Sequence, residues 1–167
     1  MAKLYFKYGA MGSSKTATAL ITKYNYEERG MKVWLIKPSA DSRDGQFTLR
    51  SRIGLAAECE AIRPETDIRT LYHARQKVDV IIVDECQFMT MAQIDQLREL
   101  VDREDLPVLC FGLRTDFQTK LFPGSMRLFE LADSITEIKT ICDCGRKATT
   151  NARISPEGYV VTEGDQV

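Results

Sequence analysis

Short runs with strand character recur along the chain at residues 4–8, 32–37, 78–83, 107–111 and 134–140, separated by stretches whose apolar positions follow helical spacing. Strands alternating with helices predict an α/β fold built on a mostly parallel sheet. The first helix is expected to run to about Arg29, because Gly30 can end it in the left-handed conformation that other residues resist. Another follows Thr90, where Thr90 and Gln93 have the spacing of a capping box and Ile94, Leu97, Leu100 and Val101 form an apolar stripe. That stripe is core rather than site. Further helices are predicted over 67–76 and 125–132.

Polar punctuation adds two features. Residues 39–54 are the longest polar stretch, carrying Asp41, Arg43, Asp44, Arg50 and Arg52 directly after the second strand. Ligands of parallel sheets bind beyond the carboxyl ends of the strands, so this loop is expected over a site, although a solvated loop would read the same. From residue 140 the character changes: Cys142-Asp143-Cys144-Gly145 precedes residues 149–154, the turn 155–158 and residues 159–162, which read as a β-hairpin behind a cysteine knuckle. This looks like half of a zinc ribbon, since two thiolates supply half of a tetrahedral site. Two units are therefore expected, an α/β domain over 1–139 and a small partial zinc-ribbon domain over 140–167.

Composition narrows the chemistry. The chain has 167 residues, with 23 Lys and Arg against 24 Asp and Glu for a net charge of −1, so no overall field draws it to nucleic acid or an anionic membrane. Without a signal peptide or a membrane-spanning run, a cytoplasmic location is expected. Five cysteines, an odd number, suit reduced thiols better than a disulfide framework, and Cys110 inside a strand is expected to be buried and inert.

Between the first strand and the first helix lies Gly9-Ala10-Met11-Gly12-Ser13-Ser14-Lys15-Thr16, the spacing of a Walker A phosphate loop with Ser14 in the second glycine position. The chemistry needs these residue types. Gly9 and Gly12 let the backbone wrap with its amides inward, and the first turn of the helix offers unpaired N–H groups and a favourable dipole to an anion. Lys15 can reach the terminal phosphates and the Thr16 hydroxyl can ligate Mg²⁺. The fold class expected is thus an α/β P-loop (RecA-like) domain.

Val80-Ile81-Ile82-Val83-Asp84-Glu85 is an apolar strand ending in two acids, which fits a Walker B element. Asp84 would stand beside the phosphate loop and hold Mg²⁺, directly or through water. Glu85 would be available as a general base. If it activates water the protein is an ATPase; if it activates an alcohol it is a kinase. Phe88, Phe117 and Phe122 could form an aromatic wall for a nucleobase, or could be core.

Gly9–Thr16, Asp41-Ser42-Arg43, Asp84-Glu85-Cys86-Gln87-Phe88, Gly112-Leu113-Arg114-Thr115-Asp116-Phe117 and Cys142-Asp143-Cys144-Gly145-Arg146-Lys147-Ala148 together resemble the type II thymidine kinases over nearly the whole chain. The resemblance implies transfer of the γ-phosphoryl group of ATP to the 5′-hydroxyl of thymidine or deoxyuridine, in pyrimidine deoxynucleotide salvage. It implies Glu85 as proton acceptor, Arg43 near the reacting 5′-oxygen and Lys15 on the phosphates. ATP and Mg²⁺ would be held by Gly9, Ala10, Met11, Gly12, Ser13, Ser14, Lys15, Thr16, Asp41, Asp84, Glu85, Cys86 and Gln87. Met11, Phe88, Leu113, Phe117 and Phe122 match positions lining the thymine pocket, Cys142 and Cys144 would bind a structural Zn²⁺, and the usual assembly is a homotetramer.

Two departures mark this chain. Ser14 stands where the family usually has glycine. The family also continues beyond the segment matching Glu163-Gly164-Asp165-Gln166-Val167 into a lasso over the thymine and a second cysteine pair, so the sequence is expected to lack its C-terminal end. A P-loop ATPase or nucleotide-binding regulator without a nucleoside acceptor is the competing class. A zinc-ribbon interaction module is a third, which leaves the first 130 or so residues unused.

Overall fold

A computed structural model describes residues 1–11, 13–39, 48–141, 146–149, 151–157 and 159–161. In chain order the elements begin with β1 (Leu4–Tyr8), α1 (Lys15–Glu28), β2 (Val33–Pro38), β3 (Thr48–Arg50), β4 (Ala56–Glu58), β5 (Glu60–Ile62) and α2 (Ile68–His73). Then come β6 (Val80–Val83), α3 (Met91–Glu104), β7 (Val108–Gly112), α4 (Pro123–Leu131), β8 (Ser134–Glu137), β9 (Thr140–Ile141), β10 (Lys147–Ala148), β11 (Arg153–Ile154) and β12 (Val160–Val161). Six strands form one sheet in the order β5-β2-β6-β7-β1-β8, and every neighbouring pair is parallel.

A parallel sheet covered on both faces must be apolar on both, and alternate residues of its strands go to opposite sides. All four residues of β6 are fully buried: Ile81 and Val83 join the cluster under α3 and α4, and Val80 and Ile82 join the cluster under α1. β7 repeats the division, with Val108 and Cys110 on the first side and Leu109 and Phe111 on the second. Each such aliphatic side chain contributes about 1.5–3 kcal/mol by burial, which makes these central strands the stable frame of the site. Cys110 is buried as expected, and burial pushes its thiol well above the usual range.

The capping box at α3 forms as its spacing requires. Thr90 Oγ1 accepts from Gln93 N at 3.0 Å, and Gln93 Oε1 accepts from Thr90 N at 3.1 Å. Gln93 Nε2 also donates to the carbonyls of Arg63 and Thr66, at 2.8 and 3.1 Å, so one side chain both starts α3 and fixes the loop after β5.

The polar stretch after β2 is not wholly a loop. Residues 48–50 pair antiparallel with residues 56–58, because Leu49, 1% exposed, packs into the cluster under α1 while its neighbours face outward. Sequence reading also missed β5, a three-residue edge strand paired with β2. Its shortness hides any period. Beyond β8 the predicted hairpin is present, with β11 antiparallel to β12, and β9 pairs with β10. No helix among the described residues is long and apolar enough to cross a membrane.

Candidate active site

The loop between β1 and α1 gathers its backbone around the Lys15 ammonium. Nζ donates to the carbonyl of Ala10 at 2.8 Å and to Ser13 Oγ at 3.2 Å, and both Ser13 and Lys15 are buried. Burial holds the ammonium below the usual lysine range, while the charges of Glu85 and Asp84 work in the opposite direction. Gly9 donates to the carbonyl of Gly112 at 3.2 Å. A Cβ at Gly9 would lie 2.5 Å from the carbonyl oxygen of Ile138 and 2.5 Å from Ser13 Oγ, so glycine is needed there for close approach.

Ser14 is left-handed, with φ 61° and ψ 31°. This backbone state accounts for the glycine usual at its position in the pattern: glycine takes it without strain, whereas an L side chain gives up roughly 1–2 kcal/mol. The Ser14 carbonyl accepts from Thr18 N at 2.9 Å and Thr18 Oγ1 at 2.8 Å, which starts α1 without a side-chain cap.

Asp84 ends β6, separated from β1 by β7. Its side chain meets the first turn of α1, which packs over β6 and β7: Thr16 Oγ1 donates to Asp84 Oδ2 at 2.7 Å. Asp84 is 1% exposed, and burial, reinforced by the charge of Glu85, pushes its carboxyl up to about 7 against the opposing pull of the Thr16 hydrogen bond. A carboxylate held in so dry a place beside a hydroxyl suits a cation ligand. Among the described residues no group of three or more His, Cys, Asp or Glu is placed to hold a metal ion.

Glu85 is also left-handed, with φ 52° and ψ 39°. The chain turns sharply here from β6 into a 3-10 turn over Cys86–Phe88, which separates the course of Glu85 from that of Asp84. Gln87, 1% exposed, donates from Nε2 to Glu85 Oε2 at 2.5 Å and accepts from Leu113 N through Oε1 at 3.1 Å. Cys86 is fully buried in the core beneath this turn, and desolvation pushes its thiol far up. Its thiol therefore packs the site from below, and only its backbone is open to a role in nucleotide binding.

The aromatic residues divide. Phe122 is 8% exposed and Phe88 is 36% exposed, and their rings meet edge to face at 5.4 Å, so Phe122 is core that supports a partly open Phe88. Phe117 sits on a tight loop pinned by Asp116, whose Oδ1 accepts from Gln118 N and Lys120 N at 2.8 and 3.1 Å. The Arg153 guanidinium lies 4.3 Å above the Phe117 ring.

The segment that carries Arg153 reaches the phosphate loop too: Met11, 55% exposed, donates its backbone N–H to Asn151 Oδ1 at 2.8 Å. Arg114 Nη2 donates to the carbonyl of Thr149 at 3.2 Å. No local pattern marks Asn151 and Arg153 as neighbours of residues more than thirty positions away, and sequence reasoning missed them. Gly12, Asp41, Arg43, Cys142 and Cys144 lie outside the described residues.

A phosphate loop at the end of β1, an acid pair at the end of β6 and a strand between them define a P-loop nucleotide-binding protein. The thymidine kinase family model matches residues 2–166. Over all of this chain, the thymidine kinase of Legionella pneumophila (strain Lens) is 46% identical, with 82% of that protein covered. The thymidine kinases of Shewanella oneidensis (strain MR-1) and Vibrio cholerae serotype O1 (strain El Tor Inaba N16961) are 44% and 46% identical, each 88% covered. The chain belongs to the thymidine kinase family, and with the family comes the class of reaction, phosphoryl transfer to thymidine.

Proposed function

We propose that the chain transfers the γ-phosphoryl group of ATP to the 5′-hydroxyl of thymidine, with deoxyuridine as a second acceptor, in deoxynucleotide salvage. The observation that carries this reading is the convergence of Lys15, Thr16, Asp84 and Glu85 at the ends of two strands held apart by a third.

Lys15 and the N–H groups of the first turn of α1 would bind the phosphates of ATP and neutralise charge on the group in transit. Glu85 would take the proton of the 5′-hydroxyl as its oxygen bonds to the γ-phosphorus and the bond to the β,γ-bridging oxygen breaks, releasing ADP. Such a base supplies roughly 10²–10⁴-fold in rate. Arg43 would steady charge near the 5′-oxygen, Asp41 would stand beside it, and Met11, Phe88, Leu113 and Phe117 would line the base pocket, with Phe122 supporting Phe88 from behind. Thr16 and Asp84 fit Mg²⁺ through a hydroxyl and a dry carboxylate 2.7 Å apart, and the ion would supply charge neutralisation on the phosphates when bound. Cys142 and Cys144, by family likeness, would take a structural Zn²⁺ outside the transfer chemistry, and the same likeness supports a cytoplasmic homotetramer.

ADP production measured with a panel of nucleosides tests the reading. ADP that appears only with thymidine or deoxyuridine supports it; ADP released equally with and without a nucleoside would make the chain a P-loop ATPase.

A further inference from the structure

We infer that Gln87 is a positioning residue for Glu85: its buried side-chain amide clamps the Glu85 carboxylate to the end of β7 and so sets the direction from which the acceptor hydroxyl is met. The inference rests on the reading of Glu85 as proton acceptor.

Three observations support it. Both ends of the amide are occupied, Nε2 by Glu85 Oε2 at 2.5 Å and Oε1 by Leu113 N at 3.1 Å. With Gln87 only 1% exposed, water is not available to replace either bond, so the amide cannot turn over without losing both. The clamp is also walled in from the opposite side. A Cβ on Gly112 would lie 2.5 Å from Gln87 Oε1 and 2.6 Å from Cys86 Sγ, so the backbone of β7 presses directly on the amide oxygen.

The need for a clamp follows from the backbone. Glu85 is left-handed, a conformation a glutamate holds only when its surroundings over-determine it. The side chain has several rotatable bonds, and rotation about any of them moves the carboxylate relative to a hydroxyl that must sit within hydrogen-bonding distance. Gln87 removes that freedom, and it does so through Leu113, next to the segment that carries Phe117. A single amide thus joins the proton acceptor to the acceptor-binding side of the site.

A double-mutant cycle tests this. Gln87→Met keeps the volume and removes both hydrogen bonds; the expected result is a fall in kcat of roughly 10- to 100-fold, as for other lost supports of a reacting group, and because both ends of the amide are bonded within the protein rather than turned to the nucleotide, KM for ATP should stay within about twofold. In a Glu85→Gln background the same change is expected to cost less than about twofold more, because the group it orients no longer takes a proton. Equal losses in both backgrounds would overturn the positioning role. Wild-type turnover by Glu85→Gln alone would instead overturn the assignment of the base, which separates the two failures.

A thermal shift with ATP verifies that each variant is folded, and if Gln87→Met does not fold the cycle is run with Gln87→Leu, which also removes both hydrogen bonds.

Discussion

Thr16 Oγ1 donates a 2.7 Å hydrogen bond to Asp84 Oδ2, joining the first turn of α1 to the residue that follows β6. The two residues are 68 positions apart, and this bond brings the two halves of the phosphate site into one unit. It also partly compensates Asp84 for its loss of water.

Thr16→Val keeps the branched shape and removes the donor. The buried carboxylate then loses a hydrogen bond worth about 1–3 kcal/mol, and denaturant or thermal unfolding of the nucleotide-free protein should show a loss of that size. Turnover should fall as well. A variant as stable as the wild type would show that the bond contributes nothing to the fold.

Asp84 gives the stability of the nucleotide-free protein a specific pH dependence. An unfolded aspartate titrates near 4, whereas burial moves the folded carboxyl to about 7. Below about 4 both states are protonated, and Asp84 has no effect. Between about 4 and 7 the native state holds the proton that the unfolded state has released, so stability falls as pH rises, and the loss levels off above about 7. The melting temperature should decline from pH 5.5 to pH 7.5 in the wild type. Asp84→Asn should flatten that slope, and an unchanged slope would mean that other groups set it.

At Ser14 the conformation makes the direction clear. With φ at 61°, glycine would remove the Cβ penalty of the left-handed region, although it also makes the unfolded chain more flexible. Ser14→Gly should therefore raise stability by up to about 1 kcal/mol and preserve or tighten ATP binding, as read by calorimetry. A large loss of affinity would show that the serine side chain itself holds phosphate.

The frame was legible in the sequence because its signals are local. Residues 80–83 are continuously apolar, Thr90 and Gln93 announce their own cap, and the spacing from Gly9 to Thr16 encodes a loop whose chemistry is contained within eight residues. What the sequence concealed depends on distant partners or on very short elements. Asn151 reaches Met11 across 140 positions, and Gln87 meets Leu113 across 26, and neither pair leaves a period or a motif. β5 has three residues, too few for alternation to separate it from a loop. The left-handed turns at Ser14 and Glu85 are similarly silent, since neither residue type advertises positive φ.

Gly124 shows how packing outside the site can govern it. It lies in the first turn of α4, and a Cβ there would come within 2.6 Å of the Cys86 carbonyl oxygen, 2.7 Å of that of Met89 and 3.0 Å of that of Gln87. These are backbone atoms of the turn that follows Glu85, so they cannot swing aside as a flexible side chain would. Gly124→Ala should push α4 away from that turn, costing about 1–3 kcal/mol as overpacking does. Because Ser125, the next residue, donates through Oγ to the Leu113 carbonyl, the displacement should reach both the acid turn and the acceptor segment. The expected signature is a lower melting temperature together with a lower kcat and a raised KM for thymidine, with KM for ATP little changed. If stability falls while both kinetic constants for thymidine hold, the turn after Glu85 accommodates the methyl group without moving the site.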